Sequence, residues 1–304
     1  MANPLLEQNP PPTALCPSPS NRRGNQIQTE PRNLIDSPAL FMYDNSMIID
    51  THSHLQFDAF DDDRDEVIKR TLAENIQCIN VGCSLDSSKK AVELAEKQAG
   101  FFAAIGLHPT DADEPFDVQQ YRELAKSKKV IAVGEIGLDF FRKPFDPVKQ
   151  KQVFIQQLDL AQELDLPVIL HCRMAHDEVI QIISNFKFQN SNLRGVVHCF
   201  TGTWEQAQKY MDMGFYLGIN GIIFKFNIDE VIKNAPLEKL LLETDCPFLT
   251  PLPAVALAKA GSYGPRNEPI FMKYTIEKIA KLKSISAQEV AQKTTENARN
   301  LFKI

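Results

Sequence analysis

No stretch of this sequence stays apolar long enough to span a bilayer, and no secretory hydrophobic region follows the basic residues near its start. Arg22-Arg23 leads into the polar Gly24-Asn25-Gln26, which argues against a twin-arginine export signal. Cysteine is sparse. Six residues in 304, without paired spacing, argue against a disulfide framework and make the reducing cytoplasm the expected compartment. Positive charge is also short: 33 Lys and Arg stand against 39 Asp and Glu, for a net charge of −6 and a pI near 5.6. Such a chain does not attract polyanions through its overall charge. A nucleic acid would have to be held by a local basic site or by metal ions. Nothing marks a membrane or protein partner, and a monomer is the simplest expectation.

What is present is ordinary globular composition, 43% hydrophobic and 24% charged, with ample length for a core. Residues 1–46 stand apart. Pro10-Pro11-Pro12, Pro17, Pro19, Pro31 and Pro38 lie among Asn, Ser and Gln without periodicity, which predicts a disordered proline-rich tail. A single domain is expected over 47–304, with Met47 a candidate start. From there apolar, β-branched runs alternate with amphipathic helical patterns, the mark of a parallel sheet built from βα units. Eight runs qualify as strands: Met47–Leu55, Cys78–Cys83, Phe102–Leu107, Val130–Gly134, Val168–Cys172, Gly195–Phe200, Tyr216–Asn220 and Lys239–Glu243. Eight such units predict an α/β fold, the (β/α)₈ TIM barrel. Asp146-Pro147 suits a helix start, Thr203-x-x-Gln206 and Ser286-x-x-Glu289 suit capping boxes, and two last helices are expected near Glu268–Lys283 and Ser286–Phe302.

In such a barrel the reactive residues gather at the C-terminal ends of the strands. The chain has only six histidines, and five fall at predicted strand ends: His52, His54, His108, His171 and His198. His52 and His54 are two apart and so share one face of the first strand. Glu135 ends the fourth strand and Asp245 follows the eighth. Four imidazoles (His52, His54, His171, His198) and these two carboxylates suffice for two divalent ions sharing a bridge, for which Glu135 is the natural candidate. Mixed nitrogen and oxygen ligation suits Zn²⁺ or Mn²⁺, and Mg²⁺ if the site stays wet. Two ions about 4 Å apart activate a water and neutralise an oxyanion. Asp245 could both hold a metal and accept the water's proton.

The remaining residues have plainer readings. His108 could simply orient its own loop. His176 falls within a predicted helix, as a solvated or packing residue. Cys172, Cys199 and Cys246 each directly follow a proposed ligand, and strand alternation turns them toward the helices as small buried hydrophobes. Arg142, Lys143, Arg173, Lys225 and Arg266 lie just beyond strand ends. Arg173 shares a strand face with His171 and could grip a phosphate with its planar fork.

The stretches Asp50–Leu55, Ile105–Pro109, Val133–Phe140, His171–Arg173, His198–Thr203, 241–252 and Arg266–Pro269 together resemble the TatD family of metal-dependent deoxyribonucleases, within the amidohydrolase superfamily. The resemblance covers residues 47–304. It implies a TIM-barrel hydrolase that cuts DNA phosphodiesters, commonly from 3′ to 5′ on single strands. The family's metal ligands correspond to His52, His54, Glu135, His171, His198 and Asp245. The family pattern also implies that His108, Arg173, Arg266, Asn267 and Glu268 help hold substrate phosphate. Two positions depart from it. Met174 stands where an acidic residue is frequent, and the loop 261–265 is less basic than usual. The alternatives are a small-molecule amidohydrolase or esterase, or a D-aminoacyl-tRNA deacylase, on the same barrel. Many small-molecule relatives bridge their metals with a carboxylated lysine from the fourth strand. Here that strand contains Glu135 and no lysine, which favours the nuclease.

Overall fold

The alternating runs become eight parallel strands: β1 (Ile48–Ser53), β2 (Ile76–Val81), β3 (Phe101–Ile105), β4 (Val130–Asp139), β5 (Val168–Arg173), β6 (Gly195–Val197), β7 (Tyr216–Ile219) and β8 (Leu240–Leu242). The structure, a computed structural model, describes residues 47–189, 192–251 and 266–304. The expected proline-rich tail at 1–46 and the loop 261–265 lie outside the described residues. Each strand pairs with the next, in the order β1 to β8. A parallel bridge from Ser53 to Cys246 and the bonds His54 N–H to Cys246 O (2.9 Å) and Asp245 N–H to His52 O (2.8 Å) join the two edges. This is the (β/α)₈ barrel.

Helices α1 (Arg64–Ala73), α2 (Leu85–Lys97), α3 (Val118–Leu124), α4 (Pro147–Glu163), α5 (His176–Gln189), α6 (Trp204–Asp212) and α7 (Asp229–Asn234) connect successive strands. Helices α8 (Met272–Lys283) and α9 (Ala287–Phe302) follow β8. Asp146 caps α4 through Val148 N–H and Lys149 N–H, and Thr203 with Gln206 forms the expected capping box on α6. At α9 only half of the predicted box is recorded: Ser286 accepts from Glu289 N–H. The helix expected from Glu268 begins at Met272, because Pro269 opens a 3₁₀ turn over Pro269–Phe271 instead. The outer core lies between sheet and helices. A second cluster fills the barrel interior, where Ile49, Val81, Ile169 and Leu241 meet Leu301 and Phe302 of α9. The C-terminal helix thus plugs the end of the barrel remote from the histidines.

Two irregularities aim side chains inward. The β4–β5 register shifts between Val133 and Ile136, and Glu135 lies in that shift. The β1–β2 register shifts between Asp50 and Ser53, around His52. Bulges of this kind redirect a side chain beside a site. Gly137, at φ +144°, permits the close approach of β5: a Cβ there would stand 2.0 Å from His171 O.

Candidate metal centre

Glu135 is the hub. Its Oε2 lies 3.4 Å from His52 Nε2, and its Oε1 lies 2.6 Å from His171 Nδ1, 3.5 Å from His108 Nε2 and 3.9 Å from His198 Nε2. Asp245 Oδ1 faces His54 Nε2 at 3.3 Å and both His52 Nε2 and His198 Nε2 at 3.8 Å. Asp245 stands at φ +58°, a left-handed conformation that a short polar side chain tolerates and that turns its carboxylate in over the barrel mouth. All six proposed ligands therefore converge on one small cavity or its wall. Its volume is about 40 Å³.

Partners outside the cluster decide which ring nitrogen each histidine presents. His54 Nδ1–H donates to Val81 O at 2.8 Å, which turns Nε2 toward Asp245. His171 Nε2–H donates to Asp139 Oδ2 at 3.1 Å, which leaves Nδ1 toward Glu135. His198 Nδ1 lies 2.8 Å from Glu243 Oε1, an ion-pair contact whose alignment falls short of a hydrogen bond, and its Nε2 points inward. A histidine ligand ordinarily gives its other N–H to a carboxylate or carbonyl in this way, which fixes tautomer and orientation. His52 Nδ1 is buried without a partner, and its Nε2 sits 3.1 Å from His54 Nε2. Two ring nitrogens face to face beside two carboxylates, with donor atoms grouped within 4.8 Å, fit divalent cations.

Electrostatics agree. Burial alone would push Glu135 up, but His108, His171 and His52 hold it well below the ordinary carboxylate value. Asp245 is likewise held down by His198, His54 and His52 against its burial. Burial would depress His198, but Glu243 and Asp245 outweigh it and carry its pKa up to about 10. His52, stacked on His198 with ring centres 3.5 Å apart, is pushed down by burial and by that neighbour. Burial and the adjacent His171 lower His108 to about 4. The metal-free site therefore carries positive charge on His198, and His171 is raised by Asp139 and Glu135 in spite of its burial.

The other residues singled out from sequence fall in three places. His108 joins the cluster, with Nε2 3.1 Å from His171 Nδ1 and Nδ1 2.6 Å from Thr110 Oγ1. Arg173 is 8% exposed, with its guanidinium 3.6 Å above the centre of the Phe141 ring, and burial lowers its pKa to about 10. Arg266 grips Asp63 with two bonds of 2.6 and 2.7 Å and reaches Glu268 at 3.1 Å, while Glu268 pairs with Arg70 at 2.6 and 2.7 Å. Asn267 donates to Thr244 O at 2.9 Å and so ties this loop to the segment carrying Asp245. His176 is a packing residue, buried at the start of α5 against Cys172 Sγ (3.2 Å) and Tyr210 Oη (3.3 Å). Cys172 and Cys246 turn into the outer core as alternation predicts. Cys199 packs against the outer core too, and its φ of +46° ends the strand pattern so that it also lines the cavity.

Sequence reasoning passed over Asp139, Glu243 and Cys83. Cys83 Sγ lies 3.8 Å from Glu135 Oε2. Asp139 is four residues beyond Glu135 on the long β4. Glu243 is two before Asp245, a spacing that alternation could have read as one face.

Comparison with known proteins agrees with this geometry. The model of the TatD related DNase family matches residues 49–303. An uncharacterized metal-dependent hydrolase of Bacillus subtilis, YabD, is 40% identical over 264 residues, covering 85% of this chain and 100% of that protein. The 3′-5′ ssDNA/RNA exonuclease TatD of Salmonella typhimurium is 33% identical over 264 residues, 84% of this chain and 99% of its own. Among solved structures, the Escherichia coli TatD homolog YJJV superposes with a TM-score of 0.76 at 30% identity, over 84% of this chain and 98% of that one. The chain belongs to the TatD-related DNase family of metal-dependent hydrolases.

Proposed function

We propose that this protein is a deoxyribonuclease that removes nucleotides from the 3′ end of single-stranded DNA, working with two divalent ions of Mg²⁺, Mn²⁺ or Zn²⁺. The observation that carries the reading is the division of Glu135: one carboxylate oxygen faces His52 and the other faces His171 and His108. That arrangement suits a carboxylate shared between two positions, with His52, His54 and Asp245 at one and His171 at the other, and His198 in reach of both. Ions held there would activate a water and neutralise charge on the attacked phosphate. Asp245, ionised at neutral pH and central to three imidazoles, accepts the proton of the attacking water. His108 and Arg173 lie beside the same cavity or strand end and bind phosphate oxygens. The relatives named as 3′-5′ ssDNA/RNA exonucleases support the substrate and polarity.

The test is incubation of metal-loaded protein with single strands labelled at either end, beside duplex DNA, ester, cyclic-amide and D-aminoacyl-tRNA substrates. Shortening from the 3′ end with about two ions bound is the expected result. Full metal occupancy in a His52→Ala/His54→Ala variant, or turnover of only the small esters, amides or charged tRNA, refutes the proposal.

A further inference from the structure

The cavity around Glu135 is about 40 Å³, against ~10–15 Å³ needed to hold one water. It has room for ions and water but not for a nucleotide. The bases of any strand cut there must lie on the surrounding loops. The loop after β7 runs Gly221-Ile222-Ile223-Phe224-Lys225-Phe226. Ile222 and Ile223 are buried, whereas Phe224 is 44% and Phe226 37% exposed, and Lys225 between them is exposed as well. Among the described residues only seven large apolar side chains are exposed, and two of them flank one lysine at the catalytic end of the barrel.

The loop is held to the metal centre. Asn220 Nδ2–H donates at 2.9 Å to Glu243 Oε1, the same oxygen that lies 2.8 Å from His198 Nδ1. Asn220 Oδ1 accepts Ile222 N–H at 3.0 Å, and Ile222 O accepts both Lys225 N–H and Phe226 N–H at 2.8 Å. Lys278 donates to Ile223 O, places its Nζ 5.3 Å from the centre of the Phe224 ring, and pairs with Asp229 at 3.3 Å. Exposed aromatic rings interleaved with cations are the chemistry of a single-strand binding platform. Every unpaired base has a face to stack, worth about 1–3 kcal/mol each, and a cation follows the backbone.

We propose that Phe224 and Phe226 form a base-stacking platform for single-stranded nucleic acid entering the metal centre, with Lys225 meeting the phosphates between stacked bases. The inference rests on the nuclease reading and adds a physical basis for preferring single strands, since a duplex keeps its base faces covered. It also places attraction for a polyanion in one loop of a chain whose net charge is −6.

The experiment compares metal-loaded wild type, Phe224→Ala/Phe226→Ala and Phe224→Leu/Phe226→Leu. The probes are a fluorescent single strand capped against hydrolysis by phosphorothioates and the same strand with abasic sites. Wild type should bind the strand with bases about tenfold or more better than the abasic one, the lower end of the stacking range. Both variants should bind the two strands alike. The Leu variant keeps apolar bulk and so guards against loss of the loop's fold. Metal content and hydrolysis of a small phosphodiester, methyl p-nitrophenyl phosphate, should be unchanged. Retention of the preference for bases in both variants overturns the platform and leaves the nuclease reading standing. Wild type that binds neither strand, yet turns over the small diester, overturns both.

Discussion

His171 donates Nε2–H to Asp139 at 3.1 Å while its Nδ1 faces Glu135 at 2.6 Å. One carboxylate thereby orients the ring for the other. Asp139 is itself fixed, because its Oδ1 accepts Phe141 N–H at 2.9 Å and Arg142 N–H at 3.0 Å. Replacing it with Asn keeps an acceptor for these two amides but turns an amide NH2 toward His171 Nε2–H, so the imidazole loses both the acceptor and the charge that make it a stronger donor to a cation. Asp139→Asn should weaken metal binding about 10–100-fold, the usual effect of losing such a partner. Chelator competition with circular dichroism as a control measures it. Wild-type affinity in a folded variant would refute the role.

His198, with its pKa near 10, carries a proton in the metal-free protein at neutral pH. A metal ligand must be neutral, so binding has to expel that proton. Loading the protein at pH 7.5 should release about one proton from this residue, and metal affinity should climb with pH until about 10. The sign for stability is opposite. A pKa raised from 6.5 stabilises the metal-free fold fully below 6.5 and loses that contribution as pH rises through about 10. Titration in weak buffer gives the proton count, and release independent of pH across this range would be the contrary result.

Asp50 is fully buried, accepts Thr244 Oγ1–H at 2.5 Å and Thr244 N–H at 2.9 Å, and is pushed up to about 7 by burial. Its ionised form thus destabilises the fold above neutrality, and the cost fades as pH falls from 7 toward the ordinary 3.8. Asn fills the same space without charge. Asp50→Asn should stabilise the metal-free protein by ~2–4 kcal/mol at pH 8, from a shift of this size, and by much less at pH 4. Denaturant melts at the two pH values decide it, and an equal effect at both would show that ionisation of Asp50 is not the source.

The barrel was legible because its signals are local and repeated. Runs such as Val168–Cys172 and Tyr216–Asn220 alternate with helical patterns, and all eight appear as strands, although β4 runs on to Asp139, well past its expected end at Gly134. The convergence of the six proposed ligands was legible because strand ends concentrate them. What was not legible depends on backbone departures or distant pairing. Cys199 lines the cavity because its residue turns left-handed, which alternation does not foresee. Asp139 and Glu243, the carboxylates behind the histidines, lie within the stretches Val133–Phe140 and 241–252, but no local pattern tells such a partner from a ligand. Arg266 meets Asp63 across 203 positions of sequence, a pairing that no local pattern encodes.

Arg173 offers the most direct test of how phosphate is held. It ends β5 two residues after His171, and its guanidinium carbon lies 3.6 Å from the centre of the Phe141 ring. The ring braces the guanidinium, and Asp139 adds favourable charge against the cost of burial. A pre-oriented guanidinium at a strand end can make two parallel bonds to phosphate oxygens. Arg173→Ala should therefore lower single-strand hydrolysis by about 2–4 kcal/mol of transition-state stabilisation, the range for losing one positioned electrostatic donor. Arg173→Lys should recover only part, because an ammonium keeps the charge but neither the fork nor the stacking. Metal content should stay at the wild-type level in both variants, since no metal-facing nitrogen is removed. Single-turnover hydrolysis with metal analysis on each variant makes the measurement. Normal cleavage by Arg173→Ala, or a loss that follows metal content alone, would show that the arginine shapes the strand end rather than the bound phosphate.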